Sequence, residues 1–298
     1  MVVLGPTATG KSDVAMAAAR AVAGTEIVAV DAMQVYRRMD IGTAKPSAAD
    51  RAEVTHHGLD LAEPTEAFSV ADYRACYERF LPTIEGRAVL VAGTGLYLTA
   101  VLDRLDLPGE WREVRAALDH ELAEGVTVAA LHARLVALDP PAAARIEPGN
   151  ARRVVRALEV TVGSGRPFSS FGPGIAAFPR TDATLIGLRW PRPVLAARVE
   201  QRVARMLDDG LLDEVVALAS EGLSPTARQA LGYKELLDHV ERDVPFDDAV
   251  AAIVRRTRQF AVRQERWFRR DPRIRWIDVE GDPVDEVAPV VVDALTAR

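Results

Sequence analysis

Cysteine, lysine and long apolar runs are what this 298-residue chain has least of, and each scarcity excludes something. With Cys76 as the single cysteine there is no internal disulfide and no cysteine-built zinc cage. Residues 74–77 around it read as a helix, so a packed, inert thiol is expected. No apolar run approaches the ~20 residues that span a bilayer. Met1-Val2-Val3-Leu4 leads straight into a glycine loop, leaving no room for a cleavable leader. A cytoplasmic protein without membrane attachment is therefore expected. Lys11, Lys45 and Lys234 are the only lysines, so nearly all positive charge is arginine. A net charge of −6 does not suggest indiscriminate nucleic-acid binding. His56-His57 are adjacent with no third ligand in view, which favours local hydrogen bonding over zinc. No internal repeat is visible.

What the chain does have is a hydrophobic fraction of 49%, enough for a buried core. Apolar runs at 2–4, 27–30, 88–92, 184–188 and 274–277 read as strands. Helical patterns at 13–22, 70–84, 194–208, 213–219, 246–270 and 284–297 alternate with them. Such alternation builds a parallel sheet with helices on both faces. From 110 to 182 the pattern turns purely helical (114–122, 128–138, 151–162), then dissolves into a Gly, Pro, Ser and Phe-rich stretch over 163–178. The expected fold is α/β: a P-loop NTPase-like parallel sheet flanked by helices, residues 1–109 and 183–298, with a helical insertion domain over 110–182 and a mobile exit loop.

Chemistry enters at Gly5-Pro6-Thr7-Ala8-Thr9-Gly10-Lys11-Ser12, which fits G-x-x-x-x-G-K-[ST]. Gly5 and Gly10 permit turns that aim several N–H groups at one anion, and the following helix adds its dipole. Lys11 supplies a point charge, and the Ser12 hydroxyl can join a magnesium shell. By composition the pattern recurs by chance in about 1 in 100 chains of this length; its place between strand and helix lowers that further. A phosphate is implied. Which phosphate is not.

Ligands sit beyond the C-terminal ends of parallel strands, and two polar clusters fall there. Asp31, followed by Ala32-Met33-Gln34, could help hold magnesium, accept a proton from a nucleophile, or cap the next helix. Thr94, between Gly93 and Gly95, could approach a ligand closely or make a plain strand-to-helix turn. Arg198, Arg202 and Arg205 share one helix face and could close over a leaving phosphate or face solvent.

Arg152, Arg153 and Arg156 crowd one turn inside the insertion, with Arg115 on an earlier helix. Arg256, Arg263 and Arg270 recur every seven residues beside an apolar stripe of Ile253, Phe260 and Trp267, with Arg255, Arg258, Arg266 and Arg269 adding charge. These stripes suit an RNA backbone with aromatic groups for unpaired bases, or ordinary solvated ion pairs.

Together these residues resemble the tRNA dimethylallyltransferases, nearly end to end. The blocks are GPTATGKS (5–12), VDAMQVYRRMDIGTAKP (30–46), HHGLDL (56–61), FSVADY (68–73), AGTGLY (92–97), ARRVVRALEV (151–160), RVEQRVARML (198–207), ARQALGYKE (227–235) and RQERWF (263–268). The long second block, read with the glycine loop, is one a generic P-loop kinase would not share. Many relatives have Ser at the position of Ala32. The resemblance implies that residues 5–12 grip the diphosphate of dimethylallyl diphosphate rather than ATP, with Ser12 on Mg²⁺. It assigns Asp31 to the adenine amino group, Thr94 and Arg202 to the reaction channel, and Asp31, Ala32, Met33 and Gln34 to a flipped base. It further assigns Arg115, the run Arg152, Arg153, Val154, Val155 and Arg156, and Arg263 with Gln264 to the tRNA anticodon stem-loop. A monomer is expected. Rival readings are an isopentenyltransferase for free adenine nucleotides, a small-molecule P-loop kinase, and a non-catalytic RNA-binding module.

Overall fold

Period-two alternation along the strands divides their side chains between two cores, one on each sheet face. Val2, Leu4, Val28, Val30, Leu90 and Ala92 belong to one buried cluster; Val3, Ile27, Val89 and Val91 belong to the other. The structure, a computed structural model, describes residues 1–172 and 174–297.

The chain runs β1 (Val2–Leu4), α1 (Lys11–Ala21), β2 (Thr25–Val30), α2 (Ala48–Glu53), β3 (His56–His57), α3 (Val70–Phe80), β4 (Arg87–Ala92) and α4 (Gly95–Leu102). Four helices follow: α5 (Arg112–Ala123), α6 (Val128–Leu138), α7 (Pro140–Ala143) and α8 (Ala151–Ser164). The sheet resumes with β5 (Leu185–Arg189), then α9 (Arg192–Asp208), α10 (Leu211–Glu221), α11 (Tyr233–Arg242), α12 (Phe246–Phe268), β6 (Ile274–Asp278) and α13 (Pro283–Thr296). Among the described residues the strands form one sheet in the order β3-β2-β4-β1-β5-β6, every pairing parallel.

Helices α2, α4, α7 and α11 lie outside the sequence expectation. The start of α2 is marked by a reciprocal Ser47–Asp50 capping box. In α4, buried residues such as Leu98 and Val101 on a uniformly apolar segment leave little amphipathic signal. Helix α3 stops at Phe80, short of the expected 84, where Leu81–Thr83 tightens into a 3-10 turn at Pro82. The histidines make the expected local bonds: His56 Nδ1 lies 2.7 Å from the Val54 carbonyl and His57 Nε2 2.5 Å from Glu26. Among the described residues no cluster of His, Cys, Asp and Glu could hold a metal ion, and no helix is long and apolar enough to cross a membrane.

Two compact units result, residues 1–103 with 178–298, and residues 104–177. The divisions fall six and five residues before the expected 109/110 and 182/183. One side chain explains the shift. Arg273 Nη1 donates to Asp103 Oδ1 and to the Pro179 carbonyl, each at 2.7 Å, and Nη2 donates to Asp271 at 2.7 Å. Both connections are thereby tied to the larger unit. The smaller unit has its own core, in which Leu118, Leu131, Leu135, Val154, Val155 and Leu158 are buried.

Candidate active site

Strand register sets the site's geometry before any side chain does. Leu4 pairs with Ala92, and Val30 pairs with Ala92 from the other side. The next residue on each strand, Gly5, Gly93 and Asp31, therefore leaves the sheet in one row at its C-terminal edge. A cavity of about 1340 Å³ opens there, lined by the glycine loop, Asp31, Gln34, Gly93 and Arg202 among others.

The loop after β1 is rigidly braced. Gly10 sits at φ 89°, and a Cβ there would lie 2.5 Å from Pro283 Cγ, so only glycine fits. Ala8 adopts φ 64°, unusual for a residue with a Cβ. Arg198 Nε donates to the Ala8 carbonyl at 2.8 Å while its guanidinium stacks on Trp190, whose indole N–H donates to the Thr9 carbonyl at 3.1 Å. The buried Thr9 hydroxyl donates to the Pro6 carbonyl at 2.9 Å. The amides of Ala8, Thr9, Gly10 and Lys11 donate to no acceptor among the described residues. A strained, braced loop with free amides is a preorganised anion cradle.

Lys11 makes one long contact, Nζ to the Pro6 carbonyl at 3.3 Å. Burial lowers its pKa to about 8; the charge of Arg202 pushes the same way, and Asp31 and Asp13 oppose it. Arg202, half-buried on α9, makes no hydrogen bond or ion pair among the described residues. Its pKa is lowered, chiefly by desolvation. The two cations disfavour each other, and an anion between them relieves both. Of the three arginines expected on one α9 face, all line the cavity; Arg198 braces the loop, while Arg202 and Arg205 have no ion pair among the described residues.

In the same cavity, Asp31 Oδ1 accepts the amides of Met33 (2.8 Å) and Gln34 (3.3 Å), so it caps its own turn as well as facing the cavity. Its Oδ2 accepts a long bond from Thr94 Oγ1 at 3.5 Å; Thr94 Oγ1 accepts the Ala32 amide at 3.2 Å. Thr94, expected in the channel, stands behind Asp31 and does not line the cavity. Ala32 and Met33 pack against the core, so only Asp31 and Gln34 of that quartet reach the cavity.

Several residues expected on the RNA surface turn inward. Gln264, 6% exposed, accepts the Thr7 amide at 2.9 Å and donates to the Gly93 carbonyl at 2.7 Å. Its amide ties the phosphate loop to the β4 loop. Val154 and Val155 are 0% and 1% exposed and fill the insertion's core, a correction that follows from their place on the apolar face of α8. Arg156 donates to buried Glu159 at 2.5 Å and to the Pro108 and Gly109 carbonyls, while Arg115 pairs with Asp119 and lies 3.7 Å from the same Glu159. Arg256 is likewise drawn to buried Glu235 at 2.6 Å. Arg152, Arg153 and Arg263 are exposed and have no ion pair among the described residues. Arg263 leans over Phe260, and Arg270 stacks on Trp267. The seven-residue arginine spacing of α12 gives no sign that Gln264 is buried while its neighbour Arg263 is exposed.

The central β1, its glycine loop and the helix that follows define the P-loop class of α/β proteins. Within it, the IPP transferase model matches residues 34–271 and an isopentenyl transferase model matches 1–60. A tRNA dimethylallyltransferase of Thermobifida fusca is 46% identical over 98% of this chain and 93% of its own length. One from Streptomyces griseus is 46% identical over 92% of this chain and 88% of its own. The crystal structure of a tRNA isopentenylpyrophosphate transferase from Bacillus halodurans superposes with TM-score 0.69 at 35% identity, covering 99% of this chain and 96% of that one. A eukaryotic dimethylallyltransferase acting on tRNA shares the fold at 22% identity and TM-score 0.80, over 100% of this chain and 79% of that one. The chain belongs to the IPP transferase family.

Proposed function

We propose that the protein transfers a dimethylallyl group from dimethylallyl diphosphate to the N6 amine of the adenosine 3′-adjacent to the anticodon in tRNA. The observation that carries this is the meeting of opposites in one cavity: Lys11 and Arg202, with no ion pair among the described residues, and the Asp31 carboxylate close to them.

In the reaction the allylic C–O bond breaks, its electron pair leaves with diphosphate, and the adenine nitrogen forms the new C–N bond. Loop amides, Lys11 and Arg202 stabilise the departing charge. Asp31 accepts the amine proton, or a hydrogen bond from it, as the bond forms. The base must leave its stack to enter, which costs least in a single-stranded loop. The Ser12 hydroxyl lines the cavity with no partner among the described residues, so it fits a hard cation. Mg²⁺ held there would add positive charge beside the diphosphate. Exposed Arg152, Arg153 and Arg263 supply contacts to the RNA backbone. A monomer in the cytoplasm accords with this reading.

The test is radiolabelled dimethylallyl diphosphate offered with unmodified tRNA, with AMP, or alone beside ATP. Label in tRNA only is expected. Label in AMP would move the assignment to the free-nucleotide enzymes, and ATP loss without prenyl transfer would move it to a kinase.

A further inference from the structure

The loop formed by residues 40–44 is one wall of the cavity, and what holds that wall lies about 170 residues further along the chain. Glu214, on α10, accepts three successive backbone amides: Oε2 from Asp40 at 2.9 Å and Ile41 at 2.8 Å, and Oε1 from Gly42 at 3.0 Å. The same Oε1 accepts the hydroxyl of Tyr233, a buried side chain whose pKa burial raises, with the Glu214 charge adding to the shift. The loop thus wraps a protein carboxylate as a backbone nest wraps a free anion. No Cβ would fit at Gly42, since it would stand 2.4 Å from the Tyr233 ring and 2.8 Å from Leu211. Beyond the clamp, the Thr43 and Ala44 carbonyls accept both N–H bonds of the Gln34 side-chain amide, at 3.1 and 3.0 Å. Gln34 in turn donates its backbone amide to Asp31. A continuous path runs Glu214, loop, Gln34, Asp31.

We propose that Glu214 and Tyr233 are positioning residues for the nucleoside side of the reaction: they fix the 40–44 wall, and through Gln34 they fix the turn that presents Asp31. The proposal rests on the prenyl-transfer reading above for its kinetic half only. The path includes neither the glycine loop nor Lys11 nor Arg202, the groups read above as gripping the diphosphate.

The experiment uses the full chain with Glu214→Gln, Tyr233→Phe, Gln34→Ala and the double variant Glu214→Gln/Gln34→Ala. Glu214→Gln replaces an acceptor oxygen with a donor against a backbone amide, and about a thirty-fold loss in kcat/KM for tRNA is expected. Tyr233→Phe removes one bond and should lose about five-fold. KM for dimethylallyl diphosphate should stay within two-fold of wild type, about the resolution of such assays. Residues on one path are non-additive, so the double variant should be no worse than Glu214→Gln alone. Amide hydrogen exchange at 40–44, measured without substrate, should speed up in Glu214→Gln while α1 and β4 stay protected. Multiplicative losses in the double variant, equal losses for both substrates, or unchanged exchange at 40–44 would overturn the proposal. If wild type fails to prenylate tRNA, the functional reading falls, yet the exchange arm still decides whether the clamp exists.

Discussion

Arginine does two different jobs in the two units of this molecule, and a nearby carboxylate decides which. In the larger unit Arg202 lies half-buried near Lys11 with no ion pair among the described residues, its pKa lowered chiefly by desolvation. In the smaller unit Arg156 and Arg115 converge on Glu159, which is 3% exposed and also accepts the Trp111 amide at 3.0 Å. A buried charge without a partner is costly, so it persists where a ligand will complete it. A charge already completed by its own protein holds structure instead. Sequence shows both as arginines on amphipathic helices; only the position of the acid separates them.

The contrast can be broken most forcefully at Lys11. Lys11→Ala should lower kcat/KM by about a thousand-fold, the usual scale for losing a charge aimed at a leaving group. A loss below ten-fold in a prenyl-transfer assay would show that the cradle's amides suffice. Asp31→Asn comes next. It keeps an oxygen for the Met33 amide but cannot take a proton, so kcat should fall about a hundred-fold while tRNA affinity by filter binding holds. Equal loss of affinity would make the carboxylate structural only.

The lowered pKa of Lys11 adds a pH test with a definite sign. Below about pH 8 the free protein carries the Lys11 charge, and above it the proton is lost. An alkaline limb near pH 8 is expected in kcat/KM for dimethylallyl diphosphate, falling as pH rises. In Lys11→Arg, whatever activity survives should show that limb displaced to higher pH.

The other side of the contrast predicts stability. Glu159→Ala should destabilise the insertion by about 2 kcal/mol, since the Trp111 amide and the Arg156 guanidinium lose a buried acceptor. Limited proteolysis should then cut within 104–177 first, with the affinity for the prenyl donor intact. Arg152→Ala/Arg153→Ala should have the smallest effect at low salt, lowering the slope of log affinity against log salt by about 1 to 2. A fall in melting temperature without a change in slope would place these two with Arg156.

The glycine loop was legible because its chemistry is local: eight consecutive residues carry the turn, the cation and the hydroxyl. The parallel sheet was legible from short apolar runs alternating with helices. Asp31 stood out as a carboxylate at a strand end, and register explains why it meets the loop. What stayed hidden depended on tertiary partners. Gln264 reads as a polar surface residue beside Arg263, yet it bonds two loops whose backbones lie 257 and 171 residues away in the chain. Glu214 looks like any acid in the first turn of a helix. Val154 and Val155 were carried with their arginine neighbours, although the apolar face of α8 already pointed them inward. Trp190 gave no local sign that its indole would hold the phosphate loop.

The Arg273 staple has a consequence for how such a chain can be built and rebuilt. Because one guanidinium holds both the Asp103 carboxylate and the Pro179 carbonyl, the outgoing and returning segments are fastened to the same side chain of the larger unit. Replacing residues 104–177 by a short glycine–serine bridge would ask whether the larger unit folds by itself, read from its melting transition.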